Sequence, residues 1–166
     1  NDSRRCKVSI NKYAQMAQLA YLDGKEAKAG YRELGFTFHK LIDIDGAQVH
    51  LVRNASEVGV CFRGTEPSEI SDVLADLKAW PTKSETDGWV HSGFKTELDK
   101  VWEDVLQYVN KYSELDLYIC GHSLGAAMAT LCASRLEDRT PKLYTYGSPR
   151  VGGKLFVKGC ELNHYR

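Results

Sequence analysis

The sequence predicts an α/β fold: a mostly parallel sheet with helices on both faces and an N-terminal antiparallel hairpin. In the second half of the chain, short apolar runs alternate with helix-period segments, the pattern of a parallel sheet with crossover helices. Earlier, Asp45-Gly46 separates two strand-like segments, a strong two-residue hairpin signal. Finally, the apolar run Leu117-Tyr118-Ile119-Cys120 passes through a Gly-flanked turn into an alanine-rich segment.

Taken in order, Tyr13, Met16, Ala17, Ala20 and Tyr21 recur at i, i+3, i+4, i+7 and i+8, which predicts one face of an amphipathic helix over residues 10–22. Asp23-Gly24 is expected to end it, with a polar loop to about Leu34. Strands are expected over residues 36–44, 48–53 and 57–63. In the third, Val58-Gly59-Val60-Cys61-Phe62 is continuously apolar, as in a strand covered on both faces. Asp43-Ile44-Asp45-Gly46 looks superficially like a calcium loop, but its twelfth position is Asn54, not the required Glu, so the hairpin is preferred. Ile70, Val73, Leu74 and Leu77 suggest a short helix within a loop-rich stretch, and residues 81–88 read as polar turns. Phe94, Leu98, Val101, Trp102, Val105, Leu106, Val109 and Tyr112 share one face of a long helix. Residues 117–120 and 143–146 are short strands, residues 124–136 a small-sided helix, and the sequence after Gly147-Ser148-Pro149 is polar.

With 166 residues, 43% of them hydrophobic and 27% charged, the chain suits one domain with a real core and excludes a disordered or low-complexity protein. Its 22 basic and 22 acidic residues balance, which gives no electrostatic footprint for nucleic acid or an anionic membrane. No apolar run is long enough for a transmembrane segment, and no secretory leader is visible. The first residue is Asn1 and the last, Arg166, falls in an apparent strand, so both ends are expected to be cut points. Cys6, Cys61, Cys120, Cys132 and Cys160 have no zinc-binding spacing. Most read as reduced and buried, which slightly favours a cytoplasmic compartment and leaves a secreted one open. Asn54-Ala55-Ser56 would be a glycosylation site only in a secreted protein.

The chemistry concentrates at Gly121-His122-Ser123-Leu124-Gly125. A Gly-x-Ser-x-Gly between strand and helix is a nucleophile elbow: the Ser sits on a sharp turn whose neighbours two away must lack bulk. By chance a chain this long holds about 0.06 such matches. The helix N-terminus also aims N–H groups at developing negative charge. Phe62-Arg63-Gly64-Thr65 ends a buried strand and supplies a hydroxyl and an N–H at the same sheet edge, a natural second donor beside the N–H of Leu124. No metal-ligand cluster or phosphate loop is apparent, and no cofactor is needed.

These segments, with Asp76-Leu77, Val90-His91-Ser92-Gly93-Phe94 and Tyr146-Gly147-Ser148-Pro149-Arg150-Val151-Gly152, resemble in order and spacing the fungal-type (class 3) lipase family of α/β-hydrolases over residues 10–166. The resemblance implies a lipase cleaving triacylglycerol or related esters at a lipid–water interface. Phospholipase A1, a general carboxylesterase and a non-catalytic lipid- or partner-binding relative remain alternatives. Ser123 would be the nucleophile, and Thr65 and Leu124 the oxyanion hole. Residues 66–81 would form a lid whose Ile70, Val73, Leu74, Leu77 and Trp80 face pocket or lipid. Tyr21 would line the acyl pocket or pack in the core. Asp76 would stabilise the oxyanion loop with Arg63, and His91, His122, Gly121 and Gly125 would be structural residues near the site.

The departure lies downstream of Ser123. Glu137 and Asp138 close the helix that starts at the nucleophile, roughly 20 Å away at ~1.5 Å per residue. Glu161 and His164 are too close together for the usual Ser, acid, His order. The expectation is a single, C-terminally incomplete lipase domain, 1–166, whose triad Asp and His lie beyond Arg166, and which is therefore nearly inactive as it stands.

Overall fold

The computed structural model describes residues 12–65, 68–69, 71–72, 75, 81–159 and 162–166. Helix α1 covers residues 12–19, followed by a turn. Helix α2 (Gly24–Glu33) precedes strands β1 (Phe38–Ile44), β2 (Ala47–Arg53) and β3 (Glu57–Phe62). A small hairpin, β4 (Pro81–Lys83) and β5 (Trp89–His91), leads into helix α3 (Ser92–Lys111). Strand β6 (Asp116–His122), helix α4 (Leu124–Arg135), strand β7 (Lys142–Tyr146), helix α5 (Lys154–Gly159) and strand β8 (Asn163–Tyr165) follow. The main sheet has the order β1-β2-β3-β6-β7-β8. Its first three strands are antiparallel neighbours, and β3, β6, β7 and β8 run parallel. Among the described residues, no helix is long and apolar enough to cross a membrane.

Alternation along the strands builds two cores. Val49, Leu51, Val58, Val60, Phe62, Leu117, Ile119 and Leu143 point to one face and pack with α3 and α4. Val52, Cys61, Cys120 and Tyr144 point to the other, beneath α1 and α2. Phe94, Leu98, Val101, Val105 and Val109 bury one stripe of α3. Helix α4 is buried nearly all round from Leu124 to Ser134, which explains its small side chains: it lies against β3, β6 and β7 on one side and α3 on another. Cys61, Cys120 and Cys132 are free and buried, as expected; Cys6 and Cys160 lie outside the described residues.

Three expectations need correction. Residues 24–33 form a helix, not a polar loop. Asp23 does not merely stop α1; its carboxylate accepts hydrogen bonds from the N–H groups of Lys25 (3.1 Å) and Glu26 (3.0 Å), an N-cap for α2. Only Ala27 and Tyr31, spaced i, i+4, are buried, so the apolar stripe is too thin to signal a helix by itself. Residues 81–91 form the β4–β5 hairpin, which is tied to the loop after β7 through His91 N–H to the Val151 carbonyl (2.8 Å) and Gly153 N–H to the Trp89 carbonyl (2.9 Å). The polar-looking stretch after Pro149 holds α5, seated by Phe156.

The α1–α2 layer is joined to the sheet through a histidine pair. His50, fully buried in β2, has Nε2 3.0 Å from the Ala20 carbonyl and Nδ1 2.8 Å from His39 Nε2. A carbonyl only accepts, so His50 Nε2 carries the hydrogen, and in the neutral ring Nδ1 accepts from His39. Burial, then the neighbouring His39, lowers the His50 pKa to about 4. Since an unfolded His titrates near 6.5, the unfolded chain binds the extra proton first as pH falls. Stability from this site is therefore complete above about pH 6.5 and is lost progressively down to about pH 4, by ~3 kcal/mol in all. Urea unfolding at pH 7 and pH 4.5 should show this loss in the wild-type chain and a smaller one in His50→Gln; an unchanged difference would remove His50 from the account.

Candidate active site

Strand β6 ends at His122, and Ser123 makes the turn into α4 with φ 56° and ψ −123°. Positive φ in a non-glycine residue with this ψ costs on the order of 1–3 kcal/mol and persists only where the surroundings over-determine it. Here they do. Ser123 N–H donates to the Tyr146 carbonyl (2.9 Å), and the Ser123 carbonyl accepts from Ala126 N–H (3.0 Å) and Ala127 N–H (3.3 Å). The residue is 5% exposed, and its side chain makes no capping hydrogen bond to α4.

The flanking glycines are required by space. A methyl on Gly121 would strike the Gly125 backbone and Ala126 N, and one on Gly125 would strike the Phe62 carbonyl, Arg63 and Gly64 N. Three backbone segments thus converge: the end of β6, the start of α4 and the chain leaving β3. The register agrees, pairing Phe62 with Gly121. This contact puts Thr65 and Leu124 on the wall of one cavity of about 470 Å³, with Arg63, Phe94 and Met128. A larger cavity, about 880 Å³, lies between the 147–153 loop, α5 and β8, and neither Thr65 nor Leu124 lines it.

The other expected residues sort as follows. Arg63 is tied to β2: its Nη1 donates to Gln48 Oε1 (2.7 Å), and its N–H donates to the Gln48 carbonyl (3.1 Å). Tyr21 is half-buried in the turn after α1, its hydroxyl 2.7 Å from His122 Nδ1, and it is not among the described residues lining the smaller cavity. His91 caps α3, where its Nδ1 accepts from Gly93 N–H (3.1 Å) and its ring stacks on Phe94 at 4.2 Å. His164 Nε2 is bonded to Thr145 Oγ1 (2.6 Å). Burial lowers the pKa of both His91 and His164. Among the described residues, no hydrogen bond joins any histidine to the Ser123 hydroxyl, and no group of His, Cys, Asp and Glu could hold a metal ion. Ile70, Val73, Leu74, Asp76, Leu77 and Trp80 lie outside the described residues.

The family model described as Lipase (class 3) matches residues 59–166. The chain belongs to the class 3 lipase family. This class 3 lipase chain is 37% identical over 119 residues to a lipase of Caenorhabditis elegans, covering 63% of this chain and 32% of that protein. It is 34% identical over 100 residues to the secreted mono- and diacylglycerol lipase A of Penicillium cyclopium, covering 58% of this chain and 29% of that protein. The chain thus spans about a third of the length of these curated relatives. A solved triacylglycerol lipase, whose catalytic centre is a serine protease triad, superposes with a TM-score of 0.71 at 26% identity, covering 88% of this chain and 63% of that one. The sheet is that of an α/β-hydrolase, as the sequence predicts.

The pairs Tyr21–His122 and His39–His50 escape a reading of the sequence by motif. The second had a signal. The Asp45-Gly46 turn fixes a register in which His39 faces Val52 and His50 faces Leu41, leaving the imidazoles diagonal neighbours on one face.

Replacing Ser123 with Gly should raise stability by about 1 kcal/mol, because relief of the positive-φ strain outweighs the added freedom of the unfolded chain. Gly125→Val should instead lower it by several kcal/mol, since backbone on three sides cannot yield. Equilibrium urea unfolding checks both; a stable Gly125→Val variant would contradict the crowding.

Proposed function

We propose that this chain carries the nucleophile and oxyanion-binding groups of a serine hydrolase acting on acylglycerol esters. The supporting observation is Ser123 itself, in a strained strand-to-helix turn, with Leu124 and Thr65 on one cavity wall. In this reading Ser123 Oγ attacks the ester carbonyl carbon as its proton passes to a base. The N–H groups of Leu124 and Thr65, with the Thr65 hydroxyl, receive the oxyanion, each such donor being worth about 2.7–4 kcal/mol of barrier. Collapse breaks the C–O bond, the alcohol leaves with the proton, and water then hydrolyses the acyl-serine. Acylglycerols are the favoured class because the relatives are named for them.

The base is a separate matter. Each imidazole has its own partner: His122 with Tyr21, His39 with His50, His50 also with the Ala20 carbonyl, His91 with Gly93, His164 with Thr145. These partners support the view that the proton acceptor, and the carboxylate that orients it, come from outside these 166 residues. The chain alone would then retain only the ~10³–10⁴-fold catalysis over water that oxyanion binding sustains without a triad.

In a longer protein that supplies the base, a fluorophosphonate probe should label Ser123, and Ser123→Ala should abolish the labelling; a labelled Ala variant would refute Ser123 as nucleophile. Hydrolysis of a p-nitrophenyl ester by the 166-residue chain should exceed the uncatalysed background by no more than about 10³–10⁴-fold. Vigorous turnover would place the base within it.

A further inference from the structure

His50 is an unexpected residue for the middle of a buried sheet face. It is fully buried in β2, opposite Cys61 in β3, where its strand neighbours are Val49 and Leu51. Buried polar groups persist where they are hydrogen-bonded, and both ring nitrogens of His50 are. What it holds is the Ala20 carbonyl, in the turn that ends α1. Helix α1 is held just before that turn, since the Tyr31 hydroxyl donates to the Met16 carbonyl (2.9 Å) while its ring stacks on His39 (5.3 Å) and tilts against His50 (5.6 Å).

The next residue is Tyr21. Its hydroxyl lies 2.7 Å from His122 Nδ1 and 3.5 Å from the His122 carbonyl. It also abuts Gly64, where a methyl would strike both the Tyr21 hydroxyl and the His122 carbonyl. Tyr21 therefore touches the residue before Ser123 and the residue before Thr65. A continuous path runs from the histidine pair through one peptide unit to the two segments that carry the proposed nucleophile and oxyanion donor.

We propose that His50, its second ring nitrogen held by His39, is a positioning residue: by holding the Ala20 carbonyl it keeps Tyr21 wedged between His122 and Gly64 and so sets Ser123 and Thr65 relative to each other. The proposal rests on the reading of Ser123 as nucleophile. In this arrangement His50 is neutral and its Nδ1 accepts from His39; on protonation Nδ1 would become a donor and His39 would have to switch tautomer to accept it. Burial, then the neighbouring His39 and the Arg63 cation, favours neutral His50, against the Ala20 carbonyl; Lys28 on α2 acts likewise on His39, and the Cys61 thiol and Tyr31 ring complete the surroundings.

The test compares isosteres in a longer protein that carries these 166 residues together with the base. The Gln amide nitrogen reaches the place of His Nε2 and can still donate to the Ala20 carbonyl; the Asn amide reaches only the place of Nδ1. Two readouts are taken: the fluorophosphonate labelling rate of Ser123 and the ¹⁵N resonance of His122 Nδ1, which reports the Tyr21 contact whether or not Ser123 reacts. His50→Asn should slow labelling at least tenfold and shift the His122 resonance, and His50→Gln should recover most of both. Tyr21→Phe should match the loss in His50→Asn, and the double variant should lose no more than either alone. If His50→Asn does not fold, His39→Phe, at a half-buried edge position, removes the fixing donor and should slow labelling severalfold. Folded His50→Asn or His39→Phe with the wild-type rate and resonance would overturn the proposal, as would additive losses in the double variant. A wild-type protein that carries the base and is still never labelled would instead refute the reading of Ser123, while the His122 resonance would still decide whether His50 positions Tyr21.

Discussion

The fold around the site depends on a steric constraint: three backbones meet where no side chain fits. Gly121, Gly125 and the chain leaving Phe62 are so close that one methyl on either glycine would collide with main-chain atoms. That contact fixes the β3–β6 register at Phe62 opposite Gly121, and with it the height at which the chain leaves each strand. It requires the α4 N-terminus to lie against the sheet, which the run Ala126, Ala127, Ala129 allows. It also forces the reversal at Ser123 into a single residue, hence the positive φ. Leu124 and Thr65, 59 positions apart in sequence, reach one cavity wall through the same contact.

The two faces of the sheet are held differently. Under α3 and α4 the contact is almost wholly apolar, dispersed over many aliphatic side chains, each contributing a kcal/mol or more on burial. Under α1 and α2 it includes directional bonds: His50 to Ala20, Tyr31 to Met16, Tyr21 to His122, and Lys12 Nζ to Glu57 Oε1 at 2.6 Å. Apolar packing tolerates small shifts along a sheet, whereas a hydrogen bond to a specific carbonyl does not. The polar face is thus the one able to fix where a particular turn sits, and it is the face from which Tyr21 reaches the elbow.

What the sequence conveys follows from which contacts are local. The elbow was legible because its requirements fall within five consecutive residues, and the β1–β2 hairpin because Asp45-Gly46 supplies the left-handed turn directly. Helix α3 announces itself through a full apolar stripe; α2 does not, because two buried residues and an Asp cap resemble a polar loop. Hairpin β4–β5 and helix α5 were missed for the same reason: their partners are each other and the loop after β7, so no stretch of a few residues carries the pattern. The Tyr21–His122 contact joins residues 101 apart, and no local periodicity encodes such a pair. Asp76, of the expected Asp76–Arg63 link, lies outside the described residues, as do Ile70, Val73, Leu74, Leu77 and Trp80 of the expected lid.

The strain at Ser123 bears on how the chemistry is divided within the protein. A cost of 1–3 kcal/mol is a large share of the 5–15 kcal/mol that stabilises a typical domain. It is carried by hydrogen bonds of the Ser123 backbone to Tyr146 on β7 and to Ala126 and Ala127 on α4, elements anchored in the apolar core. None of these bonds involves the hydroxyl, so the geometry of the turn does not depend on whether Oγ is engaged, protonated or acylated. The backbone therefore holds Ser123 in the turn whether or not a base approaches. If Ser123 is the nucleophile, as proposed, positioning and oxyanion stabilisation would belong to the scaffold, and only the proton transfer would depend on a further group.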